Sequence, residues 1–177
     1  MRKFISVVVA ISVVLITFPG ILNAKEVLDE QFGPGGSKVE LVKARVRNKV
    51  LTLAVRYIHP WEAKSPEERK KINIPRKVEL THRKIPIKFM VKSVFYIANG
   101  KRYYVLKDKN GQWLASPVVG EYIADPEPEK GKVKPLILDE NNPVRVLWFK
   151  FPAPPEGVDG VEFQIPGVAP FDVELKQ

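Results

Sequence analysis

Apolar residues recur at every second position through two long stretches of the chain, and these stretches set the fold class. In residues 39–58, Val42, Ala44 and Val46 alternate with Lys43, Arg45 and Arg47, and Leu51, Leu53, Val55 and Tyr57 follow after Asn48-Lys49. A period of two belongs to a strand whose faces meet different surroundings. The pattern therefore predicts a β-hairpin whose first strand has a cationic outer face. In residues 144–149, Val144, Val146 and Trp148 interleave with Arg145, Leu147 and Phe149, and both sets are largely apolar. This predicts a strand buried on two sides. Pro152-Ala153-Pro154-Pro155 must end it, because proline has no amide donor and a fixed φ. Beyond Gly160, apolar Val161, Phe163 and Ile165 alternate with Glu162 and Gln164, and the segment 171–175 alternates with Asp172 and Glu174. Both predict strands with one wet face.

Other elements are marked by turn chemistry. Residues 25–38 hold Gly33-Pro34-Gly35-Gly36 and are expected to form a flexible leader, with order from Val39 onward. Ser65-Pro66-Glu67-Glu68 has a serine cap, a proline at the first helical position and a glutamate three residues on, which predicts a short helix near 65–72. Apolar runs at 85–90 and 91–97 predict strands. Asn99-Gly100 predicts a tight hairpin joining 94–98 to 102–106, and a further strand from Trp113 would complete a meander. Alternate prolines at 126 and 128 predict an extended exposed connection over 125–131, followed by a strand at 133–138. These elements make the fold class all-β: a single immunoglobulin-like antiparallel β-sandwich of seven to nine strands over residues 39–177, with one short helix.

The N-terminus carries a different pattern. Arg2 and Lys3 precede an uncharged apolar run from Phe4, broken by Pro19-Gly20 before Leu22-Asn23-Ala24. This is the layout of a secretory signal peptide over residues 1–24, with Ala24 at the cleavage position. The run is also close to the ~20 residues that span a bilayer, so a retained anchor stays open. After cleavage no stable membrane insertion is expected, and the location is exported, periplasmic or extracellular. The chain holds 29 Lys and Arg against 20 Asp and Glu, giving net charge +9, and 45% hydrophobic residues. With no cysteine, disulfides, thiolate metal sites and a cysteine nucleophile are excluded.

Catalytic chemistry is not spelled out, and no enzyme activity, cofactor or metal is expected. His59 and His82 lack a metal-ligand spacing and are most simply structural. Ser65, Ser93 and Ser116 stand outside any nucleophile motif, and the paired carboxylates Glu67-Glu68 and Glu127 with Glu129 fall on a helix cap and a proline loop. No phosphate-cradling glycine loop is present.

Charge points instead to binding. Export makes nucleic acid an improbable partner, while acidic polymers of a cell envelope, or another envelope protein, are accessible to a cationic surface. The candidate surface comprises Arg69, Lys70, Lys71, Arg76, Lys77, Arg83, Lys84, Lys88 and Lys92, together with Lys101, Arg102, Tyr103 and Tyr104. Its lysines and arginines equally suit a solvated crossover, and its tyrosines suit any antiparallel sheet. A structural or protein-interaction subunit using exposed strand edges is the alternative, and the oligomeric state stays open.

Three segments carry a resemblance: Tyr104-Val105-Leu106-Lys107-Asp108 after a hairpin, Gly111-Gln112-Trp113-Leu114-Ala115-Ser116, and Phe151-Pro152-Ala153-Pro154-Pro155. In these the chain resembles exported bacterial immunoglobulin-like β-sandwich domains of uncharacterised function, found alone or beside OmpA-like domains. No OmpA-like segment occurs within these residues. The resemblance implies fold and compartment and carries no catalytic motif.

Overall fold

The structure is a computed structural model that describes residues 27–62, 64–71, 75–80, 90–126 and 133–175. The signal-like segment, and residues 85–89 of the predicted strand at 85–90, lie outside these residues. Among the described residues the chain is mostly β, in several antiparallel sheets with one α-helix.

The predicted hairpin forms as β2 (Lys38–Arg47) and β3 (Val50–Ile58), closed by Asn48 and Lys49 at φ 51° and 60°. Both turn residues take positive φ, the geometry that matches the right-handed strand twist. Along β2 the pairing shifts between Leu41, opposite Val55, and Lys43, opposite Ala54, so Val42 is an extra residue, a β-bulge. Because side chains alternate with period two, one extra residue reverses the faces beyond it. Val39 and Leu41 are fully buried before the bulge, whereas Lys43, Arg45 and Arg47 are exposed after it.

The segment expected as a flexible leader contributes β1 (Asp29–Phe32), paired along its length with β2 from Asp29 opposite Leu41 to Phe32 opposite Lys38. Its glycines serve a turn rather than slack: a 3-10 turn at Pro34–Gly36 delivers the chain back to β2. Here Gly33 has Val39 and Ser37 within 2.8 Å of where a Cβ would stand, so glycine permits a close approach.

The capping box forms as predicted. The Ser65 amide donates to Glu68 Oε2 at 2.9 Å, and the Glu68 amide donates to Ser65 Oγ at 3.3 Å, at the start of helix α1 (Pro66–Lys71). Strand β4 (Val78–Glu79) follows, then a 3-10 turn at Val91–Ser93 where a strand was expected, then the Asn99-Gly100 hairpin of β5 (Phe95–Ala98) and β6 (Lys101–Tyr104).

The expected meander does not continue. After β6 the chain crosses to the other sheet, where the Leu106 amide donates to the Lys150 carbonyl and β7 (Ala115–Ser116) pairs with β11 (Val144–Pro152). The stretch expected as one strand at 133–138 is two, divided at Pro135: β9 (Val133–Lys134) pairs with β8 (Asp125–Pro126), and β10 (Ile137–Leu138) pairs with β4. The last strands are β12 (Gly160–Gln164) and β13 (Phe171–Glu174).

Two larger sheets result, one ordered β1-β2-β3-β11-β7 and the other β13-β12-β5-β6. Their inner faces meet through aromatic rings. Phe149 and Phe151 of β11 lie 6.1 and 5.9 Å from Phe163 of β12, and Phe151 stands edge-on to Tyr96 of β5 at 5.5 Å. All four are fully buried, and each ring withdraws a large apolar area from water. The Tyr96 hydroxyl, the polar end of this cluster, donates to the Pro152 carbonyl at 3.0 Å.

Strand β11 departs from the expectation of burial on two sides. Leu147, Phe149 and Phe151 are buried, but Val144 and Val146 on the opposite face are 40% and 49% exposed. Strand β11 is central, hydrogen-bonded on both edges, yet only one of its faces is covered.

Candidate binding surface

Register places the outward side chains of the five-stranded sheet in rows. Lys43, Ala54, Trp148 and Ser116 form one row across β2, β3, β11 and β7, and Arg45, Thr52 and Lys150 form the next. Arg47 stands beyond them, opposite Val50. The Lys150 ammonium is 5.7 Å from the centre of the Trp148 ring, within reach of its negative face. Among the described residues, Lys43, Arg45, Arg47 and Lys150 have no carboxylate at ion-pair distance.

The other end of the same face is neutralised. Glu40, 4% exposed, accepts from Arg56 Nε at 2.7 Å and pairs with Lys38 Nζ at 2.9 Å, and Lys38 also reaches Glu30 at 2.7 Å. Burial alone would raise the Glu40 pKa, but the hydrogen bonds from Lys38 and Arg56 prevail and hold it below its ordinary value. The same contacts, to Glu30 first and then Glu40, raise the pKa of Lys38. Phe32, Val144 and Val146 leave exposed apolar area beside this network. The face thus has a free cationic end around Trp148 and a charge-balanced, apolar end.

Among the described residues, those selected from sequence lie on other elements than this face. Arg69 Nε donates to the carbonyls of Trp61 at 3.0 Å and Lys64 at 2.9 Å, so this side chain closes the loop before α1. Lys70 and Lys71 belong to the last turn of α1. Arg76 and Lys77 are exposed, with Lys77 at 3.9 Å from Glu79. Arg83, Lys84 and Lys88 lie outside the described residues. Lys92 is exposed on the 3-10 turn.

On β6 the four candidates divide between two faces, as strand alternation requires. Tyr103 stacks on the buried Tyr96 with centroids 4.7 Å apart and packs against the core, while Tyr104 is turned outward, 48% exposed, 5.9 Å from Phe95. Lys101 shares the Tyr103 side, and Arg102 lies over the Phe95 ring at 4.7 Å. Tyr103 is therefore a core-edge residue, and Tyr104 is the outward ring of the pair.

His59 is buried, its Nδ1 accepts from the Trp61 amide at 3.1 Å, and its ring meets Trp61 edge-on at 5.4 Å. Desolvation lowers its pKa, with partial opposition from the Pro75 carbonyl. His82 lies outside the described residues. Among the described residues no group of three metal-ligating side chains occurs, and no helix is long and apolar enough to cross a membrane.

Lys43, Arg45 and Arg47 carried their signal in the sequence, as the outward positions of an alternating strand. Lys150 and Trp148 did not, because their neighbourhood is made by pairing across β3. No family model, curated protein or solved structure matches the chain.

Proposed function

We propose that the chain is an exported, non-enzymatic module of immunoglobulin-like β-sandwich type that binds an acidic polymer of the cell envelope through the outer face of its five-stranded sheet. The observation that carries this reading is the set of four cations, Lys43, Arg45, Arg47 and Lys150, that face solvent beside Trp148 without carboxylate partners among the described residues. A row of cations on a rigid sheet attracts a polyanion through several weak contacts at once, and an adjacent indole adds an apolar surface for a sugar ring or acyl chain. The signal-like N-terminus and the resemblance to exported domains support the compartment.

The test is co-sedimentation of the purified chain with isolated envelope material at ~20 mM and ~0.5 M salt, where exposed charges are respectively weakly and strongly screened. Binding at low salt only, reduced at least tenfold in Lys43→Glu/Arg45→Glu/Arg47→Glu, is the expected result. Binding that ignores salt, or that survives the triple substitution, overturns the reading. A protein-interaction subunit is the second reading, favoured by the exposed edge strand β6; crosslinking to a protein partner through Lys101, with no polymer retained, would establish it in place of the first.

A further inference from the structure

The outer face of the four-stranded sheet has the opposite character. Glu162 of β12 pairs directly across from Asp172 of β13, and Glu174 stands opposite Gly160 one row on. These three carboxylates rim a dent of about 320 Å³ that also touches Ile97 and Asn99. The dent exists because Gly160 contributes no side chain to its row. Among the described residues none of the three carboxylates forms an ion pair. The Glu162 carboxylate accepts from Gln164, an uncharged neighbour. At the far edge of this face, Arg102 is engaged over Phe95.

Each larger sheet buries its inner face against the other, so its outer face points away from the shared core. The molecule therefore presents unpaired cations on one side and unpaired carboxylates on the opposite side. Each outer face also exposes apolar area beside its charges: Val144 and Val146 on the cationic face, Tyr104 on the acidic one. A molecule with opposite charges on opposite faces cannot satisfy them internally, but a second copy can.

We propose that copies of this chain associate head to tail, the Lys43, Arg45 and Arg47 face of one molecule docking on the Glu162, Asp172 and Glu174 face of the next. The contact is heterologous, since the two surfaces are different, and each added copy leaves one surface of each kind free. Association therefore runs on into short open chains. Net charge +9 opposes it over long range, so the contact is weak and forms at high local concentration. This inference goes beyond the polymer-binding reading and does not rest on it, because the carboxylates have no part in holding a polyanion.

Sedimentation velocity of the full chain over a concentration series, at ~20 mM and ~0.5 M salt, tests it. The expected result is a sedimentation coefficient that rises with concentration at low salt and stays at the monomer value at high salt. Neutralising one face at a time, with Lys43→Ala/Arg45→Ala/Arg47→Ala or Glu162→Gln/Asp172→Asn/Glu174→Gln, should weaken association of each variant with itself at least tenfold. Mixing the two variants should give a 1:1 dimer that grows no further, because each keeps one intact face. Recovery of that dimer also shows that both variants are folded. A wild-type chain that is monomeric across the series at low salt overturns the proposal, as does a carboxylate variant that self-associates as well as wild type. The carboxylate variant is expected to keep its binding to envelope material, so failure of self-association and failure of polymer binding are separately visible.

Discussion

The outer faces of the two larger sheets are built on the same core by the same alternation, yet one is cationic and the other acidic. On the five-stranded sheet, the face is set by a bulge: Val42 shifts the phase of β2 so that Lys43, Arg45 and Arg47 turn to solvent. On the four-stranded sheet no such device is needed. Strands β12 and β13 pair in unbroken register, and Glu162, Asp172 and Glu174 follow directly from burial of Val161, Phe163, Phe171 and Val173. One face thus keeps its phase through a bulge and the other through unbroken pairing, and the two should respond differently to change.

The largest effect is expected from inserting one residue between Lys43 and Ala44. Continuous pairing would then place Arg45 opposite buried Leu51 and turn it toward the core, and burying an unpaired cation costs several kcal/mol. Thermal unfolding should show no cooperative transition; an insertion variant that melts like wild type would mean that the sheet absorbs the extra residue. Deleting Val42, by contrast, leaves Leu41 opposite Val55 and Lys43 opposite Ala54 as consecutive pairs, so the cations should stay outward and unfolding should stay cooperative.

Truncating Phe163→Ala comes next. This ring touches Phe149, Phe151 and Phe171 and is fully buried, so its loss should cost about 3–5 kcal/mol. Both faces should weaken together, since they share this support, and chemical denaturation read alongside binding would check that.

Smaller effects follow from titration. Glu40 has a lowered folded pKa, so its contribution to stability is complete above its ordinary value of 4.5 and is lost as pH falls through the folded value. His59 is also lowered, from 6.5, so its loss begins higher, as the unfolded chain takes up a proton that the buried ring resists. Lys38 is raised above 10.5, so its contribution is complete below that ordinary value and is lost as pH rises from there through the folded value. The acid limb of a stability profile should therefore have two components. His59→Gln should remove the one that begins near pH 6.5, and Glu40→Gln should diminish the lower one, which Glu68 and Asp139 share, at a cost of about 1–3 kcal/mol at neutral pH. A single acid transition unchanged by His59→Gln would contradict this.

The two hairpin turns give the finest distinction. Lys49 holds φ 60° with a side chain, whereas Gly100 holds φ 73° without one. Lys49→Gly should raise stability by about 0.5–1 kcal/mol, and Gly100→Lys, where no atom stands within 4 Å of an added Cβ, should lower it by a similar amount. Melting temperatures of the pair would show whether backbone strain alone separates the turns.

Much of this molecule was legible from local chemistry. Period-two alternation identified β3, β12 and β13, paired turn residues identified both hairpins, and the Ser65–Glu68 box identified the helix, because each of these signals acts between residues close in sequence. The cationic face of the first hairpin strand was legible for the same reason. What only the tertiary structure decided depends on distant partners. Paired register brought Lys150 and Trp148 beside Lys43 and Arg45, a crossing after β6 sent β7 to the far sheet, and pairing with β2 made a strand of part of the expected leader. It also left one face of β11 open, and it drew Arg69 and Tyr103 inward from the surface to which their side-chain types assigned them. Sequence determines which residues alternate, since that is a property of the backbone. Which alternating face meets a core, and which meets another cation, is fixed only when strands far apart in the chain pair.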